Sequence, residues 1–217
     1  MTIHNEGYST LLGAIIIGLA ILIPVWLFVG ATWFSFAVTG LIILCFLFLL
    51  RFFRYPLREA KQNPELIYSP ADGKIIEIIE ETETEYFKDK RVRISIFMSA
   101  FNVHANWLPV SGHVEYCKYH PGRNLLAAHP KSSYLNERTS VAIQIEKDRE
   151  ILVRQVAGIM ARRVVTYPKT GQMVKQGGEL GFIKFGSRLD IFIPPKARTL
   201  VKIGDKVQGS LSEIATW

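Results

Sequence analysis

The feature that most constrains the fold is an uninterrupted stretch without charge, because residues 11–50 contain no charged side chain. A helix crosses the hydrocarbon core of a membrane with about 20 residues, so this stretch is long enough for two crossings. We predict a transmembrane hairpin with helices at about 11–29 and 33–50, joined by a tight turn at Gly30-Ala31-Thr32. A secretory signal peptide would be shorter and would begin with positive charge. Residues 1–54 are therefore predicted to be a membrane anchor.

The distribution of charge predicts which side of the membrane the rest of the chain occupies. Every Lys and Arg lies at or after Arg51, and the net charge is +7. Basic residues concentrate on the cytoplasmic side of membrane helices, so we expect the soluble part on the cytoplasmic side of the cell membrane. A basic domain held at a bilayer is attracted to anionic lipid headgroups. Nucleic acid is not an expected partner, because no nucleic-acid-binding motif accompanies the charge.

After the anchor, the sequence predicts a short linker at 55–63 and one compact domain at 64–217. This domain is expected to be mainly β (α+β), because apolar runs rich in β-branched residues alternate with Gly, Pro and Asp. Helical character is predicted for Gly158–Val165, a charged loop for Glu80–Lys90 and a hairpin tip for Lys147–Arg149. The predicted strands are Gly73–Glu80, Val92–Met98, Gly112–Tyr119, Ser140–Glu146, Ile151–Val156, Glu179–Lys184, Leu189–Ile193 and Leu200–Ile203.

An internal repeat refines this fold class. The segment beginning Gly171-Gln-Met-Val174 is echoed by Gly204-Asp-Lys-Val207, each followed by further glycines. Such spacing resembles the turns of biotinyl and lipoyl carrier domains, and it predicts a barrel-sandwich-like arrangement of short strands. It also supplies an alternative function, a membrane-tethered carrier or binding domain without catalysis. A carrier would present a lysine between the two repeats, where this chain has the apolar segment around Gly186-Ser187.

Gly186-Ser187 is the segment that points most directly to chemistry, because both residues are poor strand formers inside an apolar, strand-like run. A serine hydroxyl can attack the carbonyl of a preceding glycine and convert the amide to an ester. β-Elimination would then break the chain and leave dehydroalanine, which hydrolyses to a pyruvoyl group. The chain would thus make its own cofactor from Ser187.

Further motifs, taken together, resemble those of the phosphatidylserine decarboxylase proenzymes, in particular the short form with the cleavage motif Phe-Gly-Ser-Arg. The similarity covers nearly all of the chain after the anchor. The motifs that carry it are Ser69-Pro-Ala-Asp-Gly-Lys74, Asn102-Val-His-Ala-Asn106, Pro109-Val-Ser-Gly-His-Val114, Tyr119-His-Pro-Gly122, Asn136-Glu-Arg138, Gln155-Val-Ala-Gly-Ile-Met-Ala-Arg-Arg163 and Phe185-Gly-Ser-Arg188.

The resemblance implies decarboxylation of phosphatidylserine to phosphatidylethanolamine and CO2 in phospholipid biosynthesis. It implies self-cleavage between Gly186 and Ser187 into a large chain (1–186) and a small chain (187–217) that stay together. Ser187 would become the pyruvoyl cofactor that forms a Schiff base with the substrate. His104 and Asp72 match the histidine and aspartate of the self-cleavage relay, although Pro-Ala-Asp-Gly also reads as a plain β-turn.

Candidates for binding the anionic phospholipid follow from charge and position. Arg188, Arg162 and Arg163 could hold the phosphate, and His120 could line the pocket, although Arg162-Arg163 also fits a solvated helix face. No metal site is expected, because the histidine spacing fits no ligand pattern. Longer family members carry a histidine where this chain has Phe101, which leaves His104, another histidine or water as the proton donor. The sequence leaves the lipid backbone and a homo-oligomeric state open.

Overall fold

The computed structural model describes residues 2–60, 62–123, 125–127, 129, 131–158, 163–184 and 186–217. Contacts between residues divide the chain into two compact units, Met1–Leu57 and Arg58–Trp217.

The first unit is a helical hairpin. Two helical stretches, Asn5–Val29 and Trp33–Phe52, are long and apolar enough to cross a membrane. The two predicted apolar helices are therefore confirmed. The unit consists of β1 (Thr2–Ile3), a 3-10 turn (Asn5–Gly7), α1 (Tyr8–Pro24), a π-helical turn (Val25–Val29), α2 (Trp33–Phe52) and β2 (Arg54–Tyr55), with β1 and β2 antiparallel.

The turn of this hairpin satisfies its polar groups internally. Gly30 has a positive φ of 71°, and its carbonyl accepts a hydrogen bond from Ser35 Oγ at 2.6 Å. Thr32 caps α2, and Trp26 Nε1 donates to Thr39 Oγ1 at 3.2 Å. Since hydrocarbon offers no hydrogen-bonding partners, such pairing is what a membrane-crossing hairpin requires.

The second unit is mainly β, as predicted. Its described helix is short, α3 (Ser132–Leu135). The strands are β3 (Leu66–Tyr68), β4 (Gly73–Thr82), β5 (Lys90–Met98), β6 (Ala105–Trp107), β7 (Gly112–His120), β8 (Arg138–Glu146), β9 (Arg149–Ala157), β10 (Val164–Thr166), β11 (Met173–Val174), β12 (Glu179–Ile183), β13 (Ser187–Ile193), β14 (Arg198–Thr199), β15 (Lys206–Val207) and β16 (Glu213–Thr216).

Most predicted strands are confirmed, and β8 and β9 form the hairpin predicted to turn around Lys147. The strand predicted at Leu200–Ile203 is wrong. There the Asp205 side chain accepts a hydrogen bond from Lys202 N at 2.9 Å, and Gly204 has a φ of 99°. This turn outweighs the β propensity of the apolar residues, since Asp and Gly stabilise turns by these two means.

Two other predictions about loops and helices need correction. The charged loop is shorter than predicted, because β4 extends to Thr82 and β5 begins at Lys90. The helix predicted for Gly158–Val165 is wrong at its end, where Val164 pairs with Ile183 as part of β10. Its middle, residues 159–162, lies outside the described residues.

The strands are arranged with an internal pseudo-two-fold symmetry. Eight strands form a sheet in the order β11-β7-β8-β9-β13-β5-β4-β15, and two three-stranded sheets have the orders β10-β12-β6 and β14-β16-β3. One group of strands is β6–β12, and the other is β3–β5 together with β13–β16. If each strand is exchanged for its equivalent in the other group, every one of these orders is reproduced. We call them half B (105–183) and half A (66–98 with 187–216).

Hydrogen bonds and register repeat this symmetry. Tyr68 N donates to Pro109 O at 3.1 Å, and the equivalent Trp107 N donates to Pro70 O at 2.9 Å. The sequence repeat forms the two edge strands of the large sheet. In β11, Val174 pairs with Gly112, and in β15, Val207 pairs with Gly73.

Half B is inserted into half A, so the chain crosses between the halves twice. The first crossing runs from Met98 to Ala105 and the second from Ile183 to Ser187. Because β5 pairs with β13, the end of β5 lies beside the start of β13, with Met98 opposite Ser187. The fold thus brings both crossings to one end of the large sheet.

Candidate active site

Ser187 begins β13 at the second crossing. Its cross-strand neighbours are Met98 on β5 and Ala157 on β9, and its side chain is fully buried. A residue at the start of a central strand is held from both sides, which fixes the position of its backbone.

Gly186, directly before Ser187, has a left-handed backbone conformation with a φ of 64°. Few residues other than glycine adopt this conformation without strain. Its carbonyl oxygen packs against Gly158, where an added Cβ would stand 1.9 Å from that oxygen. Two glycines are therefore needed, one to turn the chain and the other to make room for the carbonyl.

The hydroxyl of Ser187 has a weak partner. Its Oγ donates to Met98 Sδ at 3.2 Å, and Asn106 Nδ2 lies 3.7 Å from the same sulfur. A thioether is a poor acceptor, so this contact orients the hydroxyl without holding its proton strongly.

His104 lies on the first crossing, immediately before β6, and is fully buried. Its Nδ1 lies 3.1 Å from the carbonyl oxygen of Asn102. A carbonyl can only accept, so Nδ1 carries the proton in the neutral ring and Nε2 is the basic nitrogen. Asn102 is itself fixed, because its Oδ1 accepts from Ser99 N at 2.9 Å and from Ser99 Oγ at 2.7 Å.

Asp72 lies in the turn before β4. Its carboxylate accepts two hydrogen bonds from Arg58, at 2.6 and 2.8 Å, and one from Gly209 N at 2.8 Å. Among the described residues, this carboxylate therefore forms hydrogen bonds with Arg58 and Gly209. The Nδ1 atom of His104 faces the carbonyl of Asn102.

Arg188 follows Ser187 and is buried in an ion-pair network. Its Nε donates to Asp190 Oδ1 at 2.6 Å, and its Nη2 donates to Ser95 Oγ at 2.7 Å and Glu77 Oε2 at 2.9 Å. Burial raises the pKa of Asp190, and the nearby Arg93 guanidinium opposes this rise. The guanidinium predicted to hold a phosphate would have to exchange these carboxylate partners first.

His120, at the end of β7, belongs to a second network. Its Nε2 lies 2.6 Å from Glu85, whose other oxygen accepts from Arg154 at 2.9 Å and Ser140 at 3.1 Å. Burial would raise the pKa of Glu85, but the Arg154 guanidinium and the bonds from His120 and Ser140 outweigh it and lower this pKa. Arg154 also binds the buried Glu83 at 2.8 Å.

The remaining predicted binding residues are a neighbouring pair. Arg163 is exposed and lies just before β10, and Arg162 lies outside the described residues. Phe101 is largely exposed on the first crossing.

The described residues therefore include a buried serine hydroxyl, a preceding carbonyl in a constrained turn and a buried histidine whose Nε2 is the basic nitrogen. The family model for phosphatidylserine decarboxylase matches residues 45–214. The chain belongs to the phosphatidylserine decarboxylase family.

Relatives in this family extend over nearly the whole chain. A phosphatidylserine decarboxylase proenzyme of Cytophaga hutchinsonii is 48% identical over 217 residues, covering 99% of this chain and 98% of that protein. The proenzyme of Amoebophilus asiaticus is 54% identical over 169 residues, covering 78% of this chain and 75% of its own length. That of Parabacteroides distasonis is 42% identical over 216 residues, 99% and 98% of the two chains. The predicted family and the prediction that the chain is a decarboxylase are confirmed.

Sequence reasoning missed five residues around the candidate site. Met98 and Gly158 are placed beside Ser187 and Gly186 by strand pairing and packing, which no local pattern reveals. The turn from Ser99 to Asn102 could have been inferred from the serine and asparagine. The fifth residue, Arg58, is in the sequence only one of several basic residues that follow the apolar stretch.

Proposed function

We propose that this chain converts phosphatidylserine to phosphatidylethanolamine and CO2, using a pyruvoyl group made from its own Ser187. The group would form by cleavage between Gly186 and Ser187 into chains 1–186 and 187–217. The observation that carries this proposal is the left-handed Gly186, whose carbonyl packs against Gly158 directly before the buried hydroxyl of Ser187.

Cleavage begins with the Ser187 hydroxyl. His104 Nε2 takes its proton, Oγ bonds to the carbonyl carbon of Gly186, and the C–N bond breaks as the proton passes to nitrogen. The product is an ester. Loss of the Cα proton of residue 187 then expels the Gly186 carboxylate and leaves dehydroalanine. Addition of water and release of ammonia give the pyruvoyl group.

The surroundings of residue 187 suit such a group. Met98 and Ala157 flank it on the two neighbouring strands, and its side chain is buried in the uncleaved chain. A pyruvoyl group supplies a ketone that reacts with the serine amine of the headgroup and an adjacent carbonyl that accepts electrons as CO2 leaves. Pairing of β13 with both β5 and β9 would keep the new chain end in place after the peptide bond is broken.

The basic and apolar parts of the chain support a membrane lipid as substrate. The two apolar helices are suited to a cell membrane. Arg51 in the last turn of the second helix and Arg54 after it favour a cytoplasmic position for the enzyme domain. Arg163 is the exposed candidate for the lipid phosphate, with Arg162 beside it in sequence. Arg188 and His120 remain predictions for substrate binding, since carboxylates occupy both side chains in the uncleaved chain.

Denaturing electrophoresis with mass spectrometry tests this proposal. The purified protein should separate into two chains whose masses fit 1–186 and 187–217, the small one beginning with a pyruvoyl group, and should release CO2 from phosphatidylserine. The Ser187→Ala variant should remain one 24.6 kDa chain without activity. A single chain in the wild type would instead support the carrier alternative, and a cleaved Ser187→Ala variant would remove the mechanism.

A further inference from the structure

The pseudo-two-fold symmetry allows the role of Asp72 in its turn to be compared with the role of the equivalent residue in half B. The residue equivalent to Asp72 in half B is Ser111, because each directly precedes the first glycine of its strand, Gly73 or Gly112. Ser111 Oγ accepts a hydrogen bond from Gln176 N at 2.9 Å. Asp72 Oδ1 accepts the equivalent bond from Gly209 N at 2.8 Å.

One side-chain oxygen therefore suffices for the turn, and half B supplies it with a serine. The second carboxylate oxygen and the negative charge of Asp72 have no counterpart at Ser111. Both are engaged by Arg58, whose Nη1 and Nη2 bind Oδ1 and Oδ2 at 2.6 and 2.8 Å. Whatever Asp72 contributes beyond the turn thus involves Arg58.

Arg58 also connects Asp72 to the strand that follows His104. Its guanidinium stacks over the ring of Trp107 at 4.3 Å, and its Nη1 donates to Gly209 O at 2.5 Å. Trp107 N in turn donates to Pro70 O at 2.9 Å, in the turn that ends with Asp72. Trp107 belongs to β6, three residues after His104.

The burial of this pair makes it costly to break. The Arg58 side chain is 9% exposed and that of Asp72 is 12% exposed. Removing one partner of a buried ion pair leaves an uncompensated charge, which destabilises far more than loss of a surface pair. A planar guanidinium also fixes the direction of a carboxylate that it binds through two nitrogens.

We propose that Arg58 is a positioning residue for self-cleavage, which holds Asp72 and Trp107 together and so fixes strand β6 and His104. This rests on the proposed function, since it assigns a role in the same cleavage. Arg58 is the first residue of the second unit, directly after the unit with the apolar helices. The segment next to the anchor thus supplies part of the cleavage machinery.

The rate of cleavage in the full-length chain tests this role. Arg58→Gln should slow cleavage by at least about ten-fold, which corresponds to about 1.4 kcal/mol in the barrier. Arg58→Lys should recover part of the rate, because it restores the charge without the two-nitrogen contact. The double variant Arg58→Gln/Asp72→Asn should be slowed less than the product of the two single effects, because both substitutions remove the same contact.

Arg149 offers a matched control. It also binds a carboxylate through two nitrogens, Glu65 at 2.8 and 3.1 Å, and stacks near Trp217 at 5.8 Å. Arg149→Gln should cleave at the wild-type rate. The melting temperature of each variant shows whether it is folded during the measurement, and Arg58→Lys keeps the test valid if Arg58→Gln unfolds.

Two results would overturn the role of Arg58. One is cleavage at the wild-type rate by the folded Arg58→Gln variant, or by every Arg58 variant. The other is a double variant slowed by the full product of the two single effects, because Arg58 and Asp72 would then act independently. An uncleaved wild-type chain would be a different result, since it contradicts the proposed function itself.

Discussion

The carbonyl oxygen of Gly186 and the Cα of Gly158 are packed so closely that a Cβ on residue 158 would lie 1.9 Å from that oxygen. This contact fixes the carbonyl that Ser187 would attack. Gly158→Ala must displace it, and a displacement of ~1 Å can reduce a rate by about 10²-fold. We expect cleavage of this variant to slow by about that factor, measured as the fraction of chain cut over time.

Gly112→Ala is the matched control for this prediction. A Cβ there would lie 2.3 Å from the carbonyl oxygen of Gln144, a similar clash far along the chain from Gly186. Both variants should lose stability, but only Gly158→Ala should cleave slowly while folded. Equal cleavage rates in the two folded variants would mean that the Gly186 carbonyl does not need its packing against Gly158.

His104 and His120 should behave differently. His104 is fully buried on the first crossing with its Nδ1 directed at Asn102, whereas His120 is bound to Glu85. His104→Gln should abolish cleavage, because glutamine offers no basic nitrogen. His120→Gln should cleave like the wild type, and a rise in the KM for phosphatidylserine would show that His120 contacts substrate. Normal cleavage by His104→Gln would remove His104 as the base.

Local patterns predicted the strands well because their hydrophobic runs and turn residues act over short distances. The sequence repeat at Gly171 and Gly204 predicted short strands, and the structure explains it as two edge strands with a positive φ at each first glycine. What the repeat did not reveal is that half B is inserted into half A. That insertion brings the His104 and Ser187 segments together, and it depends on the pairing of β13 with β5 and β9.

The chemistry of side chains was harder to predict than the strands. Arg188 and His120 were chosen as phosphate or pocket residues from charge and position, yet carboxylates far away in sequence engage both. Glu77 is 111 residues from Arg188, and Glu85 is 35 residues from His120. Pairing over such separations depends on the finished fold, so no spacing rule predicts it.

The network around Glu85 should make the stability of the fold depend on pH in the acidic range. Because the folded pKa of Glu85 is lowered, its stabilising effect is present above the pKa of the unfolded chain and is lost as pH falls through the lower, folded pKa. Glu85→Gln should reduce the free energy of unfolding by about 1.5–3 kcal/mol at pH 7, the range for hydrogen bonds to charged groups. This deficit should shrink as pH falls below 4.5, the ordinary pKa of the carboxyl.

Denaturant unfolding at several pH values measures this effect, with Glu80→Gln as control. Glu80 pairs with Lys90 at 3.5 Å, and both side chains are more than half exposed. Exposed pairs contribute little, so this variant should follow the wild type at every pH. A Glu85→Gln deficit that stays constant from pH 7 to pH 3 would show that the charge of Glu85 is not what stabilises the fold.

Chemical trapping should locate the reactive carbonyl on residue 187. Borohydride added with phosphatidylserine should attach the lipid amine irreversibly to the first residue of the 187–217 chain, because a ketone that has reacted with an amine is reduced to a stable product. Hydroxylamine should inactivate the enzyme by consuming the same ketone, and metal chelators should have no effect. The uncleaved Ser187→Ala variant, treated identically, should carry no adduct. An adduct on a lysine, or full activity after hydroxylamine, would show that the catalytic carbonyl is not the one derived from Ser187.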